Sequence, residues 1–353
     1  MDAVVLVGGK GTRLRPLTIT TPKPMLPTAG VPFLTHLLVR ARDAGVDHAI
    51  LSTAYRPEVF EGHFGDGGDL GLKITYVTEA EPLGTGGGIR NVAQHLRGDD
   101  FLVFNGDVLS GLDVTSLVSE HRRRHADVTL YLTEVPDARA FGCVPSDDEG
   151  WVTAFLEKMP EPVTNRINAG CYVFSPAVLD AIPAGRPVSV ERETFPALLA
   201  GGAKVYGHVD LSYWLDLGTP AAFVRGSCDL VLGKVASAAL PGEPGQCLVL
   251  PGATVAPDAV LTNGTTVGRD VTVGAGAYVD GSVVFDGAVV GPGARVCDSV
   301  VGRGATVGEG SVLTGVVVGD GALIGTGNEL VDGARIWPDV VIGDAAVRFS
   351  SDL

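Results

Sequence analysis

The residues of this chain best suited to catalysis stand at its start, in the stretch Val4 to Pro27, VVLVGGKGTRLRPLTITTPKPMLP. Val4, Val5, Leu6 and Val7 form the short apolar run of a buried parallel strand, and it ends abruptly at Gly8, Gly9, Lys10, Gly11, Thr12 and Arg13. Glycines lack a Cβ, so successive backbone N–H groups can turn toward one bound anion, and the cations Arg13 and Lys23 lie within reach of the same place. Prolines at 16, 22, 24 and 27 stiffen the segment beyond the glycines. These first 27 residues hold Lys10, Arg13, Arg15 and Lys23 against a single acid, Asp2, in a chain whose formal net charge is −15. A cationic island in an acidic protein points to an anionic ligand. Further along, Asp107 follows the apolar run Phe101 to Phe104, and an acid at a strand's carboxyl end is well placed for a metal. A second glycine cluster, Gly84 to Gly88, is preceded by Glu79, Glu81 and Pro82.

The scaffold around these residues is legible in the pattern between them. From Asp2 to about Lys234 strand-like runs alternate with helical ones, as in an α/β domain with a mostly parallel mixed sheet, whose binding loops sit at the carboxyl ends of the strands. Helices are expected over Pro32 to Ala44, stopped by Gly45, and after Thr219 as cap and Pro220 as first turn. Asp113 is a candidate cap for the helix carrying Leu117 and Val118. Strands are expected at Ala49 to Ser52, Ile74 to Val77, Phe101 to Phe104, Val128 to Val135, Trp151 to Glu157, Ile167 to Phe174 and Tyr213 to Gly218. Gly84 to Gly88 reads as a glycine loop leading into a helix through Leu96.

Composition changes after Lys234. All seven histidines lie in the first 235 residues, and beyond a linker rich in Ala, Pro and Gly aliphatic residues recur every six. Val255, Leu261, Val267, Val273 and Val279 form one set, Val284, Val290 and Val296 another, and Val318, Ile324, Leu330, Ile336 and Ile342 a third, with one-residue slips between them. Hexapeptide repeats of this kind build a left-handed parallel β-helix, each coil three short strands with the aliphatic residues stacked inside. The expected domains are therefore 1–235, catalytic; 236–248, linker; and 249–353, the β-helix, structural and assembling because Asp, Thr and Gly are expected on its outside.

At 353 residues the chain is long enough for two cores. Hydrophobic residues make up 45% and charged ones 19%, and no apolar run approaches the roughly 18 residues that would cross a bilayer. The five scattered cysteines include no CxxC pair and read as free thiols in a reducing cytoplasm, and the start of the chain carries no export signal. The acidic balance argues against nucleic-acid binding and against docking on an acidic membrane.

Two familiar glycine loops do not fit. A GxGxxG dinucleotide fingerprint beginning at Gly9 needs glycine or alanine where Leu14 stands, and no GxxxxGK followed by Ser or Thr occurs. The string GGxGTRLxPLT followed by PKPML does resemble the signature of the nucleotidyltransferases that make nucleotide-sugars, whose catalytic domain is Rossmann-like. The similarity is closest to the mannose-1-phosphate guanylyltransferases and covers nearly the whole chain. EPLGT (81–85), FNGDV (104–108), FLEK (155–158), NRINAG (165–170), SVERETFP (189–196) and YWLDLGTPAAF (213–223) resemble that family's segments in the same order, with the hexapeptide domain after them.

The reaction this resemblance implies is attack by a sugar 1-phosphate oxygen on the α-phosphorus of a nucleoside triphosphate, releasing pyrophosphate. It needs positioning, charge neutralisation and Mg²⁺. Asp107 and Asp216 would supply the oxygen ligands of the metal. Leu6, Gly8, Gly9, Gly11, Thr12, Arg13, Glu79, Pro82, Gly84, Thr85 and Asp107 would line the nucleotide, and Lys23 would neutralise the phosphates being transferred. Gly142, Glu157, Lys158 and Asn168 would face the sugar 1-phosphate, Lys158 at its phosphate. Guanine presents N1–H and its N2 amino group side by side, a pair of donors one carboxylate can accept, so Glu79 or Glu81 is expected to select GTP. Met159 after the EK pair and EPLGTGG in place of EPLGTAG depart from the family, so heptose, glucose or cyclitol 1-phosphates stand as alternatives to mannose. A non-catalytic regulatory relative is the other alternative, against which Arg13, Lys23, Asp107 and Asp216 stand intact. Hexapeptide acyltransferases generally use a histidine base, and none follows His208. A cytoplasmic homo-oligomer is expected.

Overall fold

The computed structural model describes residues 1–156 and 158–348. The chain forms two compact units, one of Met1–Gly9 with Leu37–Trp214, the other of Lys10–His36 with Leu215 onward. The first unit is built on strands β1 (Asp2–Leu6), β2 (His48–Thr53), β3 (Lys73–Thr78), β4 (Phe101–Asn105), β5 (Val128–Glu134), β6 (Arg166–Phe174) and β7 (Val205–Val209). They form one sheet in the order β7-β5-β6-β4-β1-β2-β3. Its neighbours run parallel except for β6, which is antiparallel to β4 and to β5. This is the Rossmann-like, mostly parallel mixed sheet the strand pattern predicts. Continuous apolar runs make these strands because both faces of the sheet are covered: Val4, Ile50, Val103, Leu130, Tyr172 and Phe174 share one core with Phe195.

The helices are α1 (Phe33–Asp43), α2 (Pro57–Phe64), α3 (Gly84–Asn91), α4 (Val114–Arg124), α5 (Phe195–Ala200) and α6 (Pro220–Val231). Asp113 caps α4 by accepting from the Ser116 N–H at 3.0 Å, and the Thr219 hydroxyl caps α6 by accepting from the Ala222 N–H at 3.2 Å. Among the described residues no helix is long and apolar enough to cross a membrane.

Two local expectations fail. Trp151 to Glu157 is not a strand: Trp151 pairs singly with Tyr206, Val152 with Ser146 and Leu156 with Cys143, so the segment changes partners before a ladder can form. Its last residue, Glu157, lies outside the described residues. The glycine cluster is not a loop either, since α3 begins at Gly84. A Cβ on Gly84 would stand 2.7 Å from the Val188 carbonyl oxygen, one on Gly86 2.9 Å from Val188 Cγ1, and one on Gly87 2.9 Å from the Arg186 carbonyl oxygen. Glycine serves here because segment 186–188 lies directly on the helix backbone, and that close approach offsets its poor helix propensity.

Among the described residues of the second unit the repeats form three parallel sheets of six, six and five short strands. Inward residues pair between coils, as in Val267 with Val284 and Val301, or Val273 with Val290 and Val307. The slips have a physical origin. The inward positions stay in register while one corner varies in length, with a step of five residues from Val279 to Val284 and of six from Leu261 to Val267. At that corner buried hydroxyls serve the coil above, Ser282 Oγ accepting from the Ser299 N–H and Ser299 Oγ from the Val316 N–H, both at 3.0 Å.

Candidate active site

Within the second unit the signature loop is folded tightly on itself. Gly11 has φ +58, and a Cβ there would stand 2.9 Å from Lys23 Cβ, so glycine is what lets the two halves of the loop meet. The Gly11 carbonyl accepts from the Leu14 N–H at 2.9 Å and from the Thr18 hydroxyl at 2.8 Å. Lys23 Nζ lies 3.7 Å from one Asp216 carboxylate oxygen and Arg13 Nη2 lies 3.9 Å from the other. One carboxylate thus gathers both cations. Arg13 stays 66% exposed at its side chain while Lys23 is 10% exposed, so the arginine is the more open to an incoming anion. Gly218 makes room for the group, because a Cβ there would be 2.5 Å from Arg13 Nη2. Below the cations, Leu14, Leu17 and Leu26 are buried with Phe223 and Val224 of α6 and with Val283, Val300 and Val317 of the repeats.

In the first unit, taken by itself, the candidate nucleotide residues stand at strand ends and on the loops after them. Leu6 closes β1 and leads to Gly8, half-buried beside Ala54, and to exposed Gly9. The turn bearing Asp107 packs on the end of β1: the Gly106 N–H donates to the Leu6 carbonyl at 3.0 Å, and a Cβ at 106 would come within 2.7 Å of that oxygen. The two glutamates differ. Glu79 is buried, one carboxylate oxygen accepting from the Ser52 hydroxyl and the other from the Leu83 N–H, both at 2.8 Å. Glu81 and Pro82 are exposed. Thr85 is committed internally as well, its hydroxyl donating to Glu191 at 2.9 Å and accepting from the Val190 N–H at 2.8 Å.

Of the residues expected at the sugar phosphate, Glu157 lies outside the described residues. Cys143 bridges to Leu156 on one side and to Ile167 on the other, which sets Gly142 and Asn168 next to bridged residues. Lys158 is exposed. Asn168 donates to the Tyr172 hydroxyl at 2.8 Å and accepts from the Gly170 N–H at 3.1 Å, leaving its second N–H and second lone pair for a ligand. Sequence reasoning missed Ser52, Glu191 and Arg335. Glu191 stood in view within SVERETFP, whereas Ser52 and Arg335 carry no local signal, since their partners are distant in the chain.

Among the described residues no three His, Cys, Asp or Glu side chains gather as a metal cage. Asp107 on its turn and Asp216 at a strand end are single hard carboxylates, the donor type of a divalent ion held mainly by substrate phosphates and water. Each carboxylate, taken by itself, is of the donor type that fits a metal arriving with nucleotide.

Residues 2–231 match the nucleotidyl transferase family and residues 244–348 the GMPPB C-terminal domain. A mannose-1-phosphate guanylyltransferase of Mycobacterium tuberculosis is 62% identical over 100% of this chain and 99% of its own. The mannose-1-phosphate guanylyltransferase catalytic subunit beta of Drosophila pseudoobscura pseudoobscura is 39% identical, over 72% of this chain and 70% of its own. Among solved structures, that of HddC from Yersinia pseudotuberculosis complexed with GMP-PN superposes with a TM-score of 0.56 at 30% identity, covering 64% of this chain and 97% of that one. A putative glucose-1-phosphate thymidylyltransferase from Bacillus anthracis, at 22% identity and a TM-score of 0.60, shares the fold over 64% of this chain and 94% of its own.

Proposed function

This chain belongs to the nucleotidyl transferase family, and on that basis we propose that it joins GTP and mannose 1-phosphate to give GDP-mannose and pyrophosphate. The observation carrying this reading is the 62% identity along the full chain to a mannose-1-phosphate guanylyltransferase. A phosphate oxygen of the sugar 1-phosphate attacks the α-phosphorus of the triphosphate, the bond to the β-phosphate oxygen breaks, and pyrophosphate leaves with that electron pair. No protein nucleophile is required, so the residues position the partners and offset charge.

Gly8, Gly9, Gly11 and Thr12 present backbone N–H groups to the phosphates in this reading. Arg13 and Lys23, held by Asp216 at 3.9 and 3.7 Å, balance the charge that moves to pyrophosphate. Lys158 takes the sugar phosphate, with Glu157, Gly142 and Asn168 toward the sugar. Glu81, exposed on the loop that Glu79 braces from within, accepts from N1–H and N2 of guanine. A divalent metal serves this family. Mg²⁺ is the ion proposed, with Asp107 and Asp216 to hold it, and it would supply charge neutralisation on the phosphates. The protein acts in the cytoplasm in this reading, and it acts as a homo-oligomer. The uncharged outer row Thr254, Thr272, Val289, Thr306, Leu323 and Val341 supports the association, and a monomer mass by light scattering would refute it.

The test is pyrophosphate release with Mg²⁺ across four nucleoside triphosphates and mannose, glucose and heptose 1-phosphates. Turnover confined to GTP with mannose 1-phosphate is expected. Preference for another pair replaces the substrate, and nucleotide binding without turnover on any pair moves the chain to a regulatory role.

A further inference from the structure

The outward row of one β-helix sheet runs Val283, Val300, Val317, Arg335, each residue paired in register with the next. The three valines are buried against Leu14, Leu17 and Leu26 of the signature loop and Phe223 and Val224 of α6. The row then changes character, because its fourth member is a cation. Arg335 Nη1 donates to the carbonyl oxygens of both Arg13 and Arg15, at 2.9 Å each. Between those carbonyls sits Leu14, fully buried on the valine floor. The backbone is thus held at three successive residues: a carbonyl fixed by a guanidinium, a side chain fixed by apolar packing, and a second carbonyl fixed by the same guanidinium.

Arg13 is the residue this arrangement orients. Its own side chain is 66% exposed and reaches Asp216 only at 3.9 Å, so side-chain partners constrain it weakly. Exposed ion pairs at such distances contribute little. Its direction is set instead by its backbone, and charge stabilisation in a transition state is lost steeply when the charged group is misplaced by about 1 Å. A single planar guanidinium spanning carbonyls at i and i+2 fixes such a turn, and an ammonium on a flexible stem is a poorer substitute.

We propose that Arg335 is a positioning residue for the transfer reaction: the last coils of the β-helix hold the loop backbone from which Arg13 reaches the substrate phosphates. The repeat domain is then part of the catalytic apparatus, beyond the structural and assembling role its repeats suggest. This rests on the proposed nucleotidyltransferase reading for its kinetic arm only.

The experiment compares the full-length protein with Arg335→Ala, Arg335→Lys and, as a control, Arg348→Ala, which removes an ion pair to Glu329 at 2.8 Å in the neighbouring coils without touching the loop. Two quantities are read: amide hydrogen exchange across residues 11–19, and kcat and KM for both substrates. Expected for Arg335→Ala are exchange at Leu14, Arg15 and Leu17 faster by about tenfold, and kcat lower by about tenfold with KM for the sugar phosphate unchanged. Arg335→Lys recovers part of both, and Arg348→Ala changes neither. In an Arg13→Ala background, Arg335→Ala has no further effect on kcat, because it acts through Arg13. Additive losses in that double variant, or exchange and turnover in Arg335→Ala equal to the parent's, overturn the proposal. If Arg335→Ala fails to fold, Arg335→Lys carries the same comparison. Absence of turnover in the parent protein would overturn the transferase reading, while loop exchange still decides the tether.

Discussion

Among single residues, neighbouring acids of one loop divide the work. Glu79 and Glu81 are equivalent as letters, two carboxylates before the same PLGT string. In the fold, both oxygens of Glu79 are occupied by Ser52 and the Leu83 N–H, whereas Glu81 is exposed. A buried carboxylate with both oxygens bonded braces a loop, and an exposed one is available to a base. Glu81→Gln is therefore expected to cut the preference for GTP over other triphosphates by about tenfold, because the amide donates where guanine also donates. Glu79→Ala should leave the preference standing and raise KM for every nucleotide, by about tenfold for a loop that has lost both bonds. Steady-state kinetics across four triphosphates separates the two, and interchange of these outcomes would reverse the assignment.

One step up, among helices and strands, α3 shows how packing overrides propensity. A run of glycines favours loop, yet GTGGGIRN is helical because residues 186–188 lie on it too closely for side chains. Gly87→Ala would place a Cβ 2.8 Å from Leu83 Cβ and 2.9 Å from the Arg186 carbonyl oxygen. Ordinary helix propensity predicts a gain of about 1 kcal/mol from that change. The structure predicts the opposite sign, a loss of about 1–3 kcal/mol from overpacking, readable as a lower midpoint in urea. A raised midpoint would show that segment 186–188 gives way. The β-helix shows the converse case, in which a six-residue rhythm alone places nearly every inward side chain, the variable corner excepted.

For the protein taken entire, stability should depend on pH in two stages. His121, buried, and His208, half-buried, are pushed below the usual histidine range by burial, so the native state resists a proton that the unfolded chain accepts. Stability from these groups is complete above about pH 6.5 and is lost as the pH falls below it. Asp2 supplies the second stage. Burial works to raise it, and the hydrogen bonds from Arg97 and His48 outweigh burial, leaving it below the carboxylate range. Its contribution is present above about pH 4 and lost on further acidification. Thermal midpoints should fall from pH 6.5 toward 5 and more steeply below 4, with Arg97→Ala blunting the second fall. A midpoint constant between pH 7.5 and 5 would contradict the burial of His121 and His208.

The α/β alternation, the helix caps Asp113 and Thr219, the hexapeptide architecture and the signature loop were all legible in the amino-acid string, because each is written in local spacing: period, cap and turn residues act within a few positions of themselves. The same string singled out Arg13, Lys23 and Asp216 as residues of one chemistry. It took the folded chain to show that Asp216 gathers the two cations, that Glu79 faces inward, that glycines form a helix, and that segment 10–36 forms one compact unit with the repeats. Each of those depends on partners far along the chain, as Arg335 does in reaching back to Arg13. Contacts between residues distant in sequence are selected by burial and shape in the assembled fold, and no local pattern encodes them.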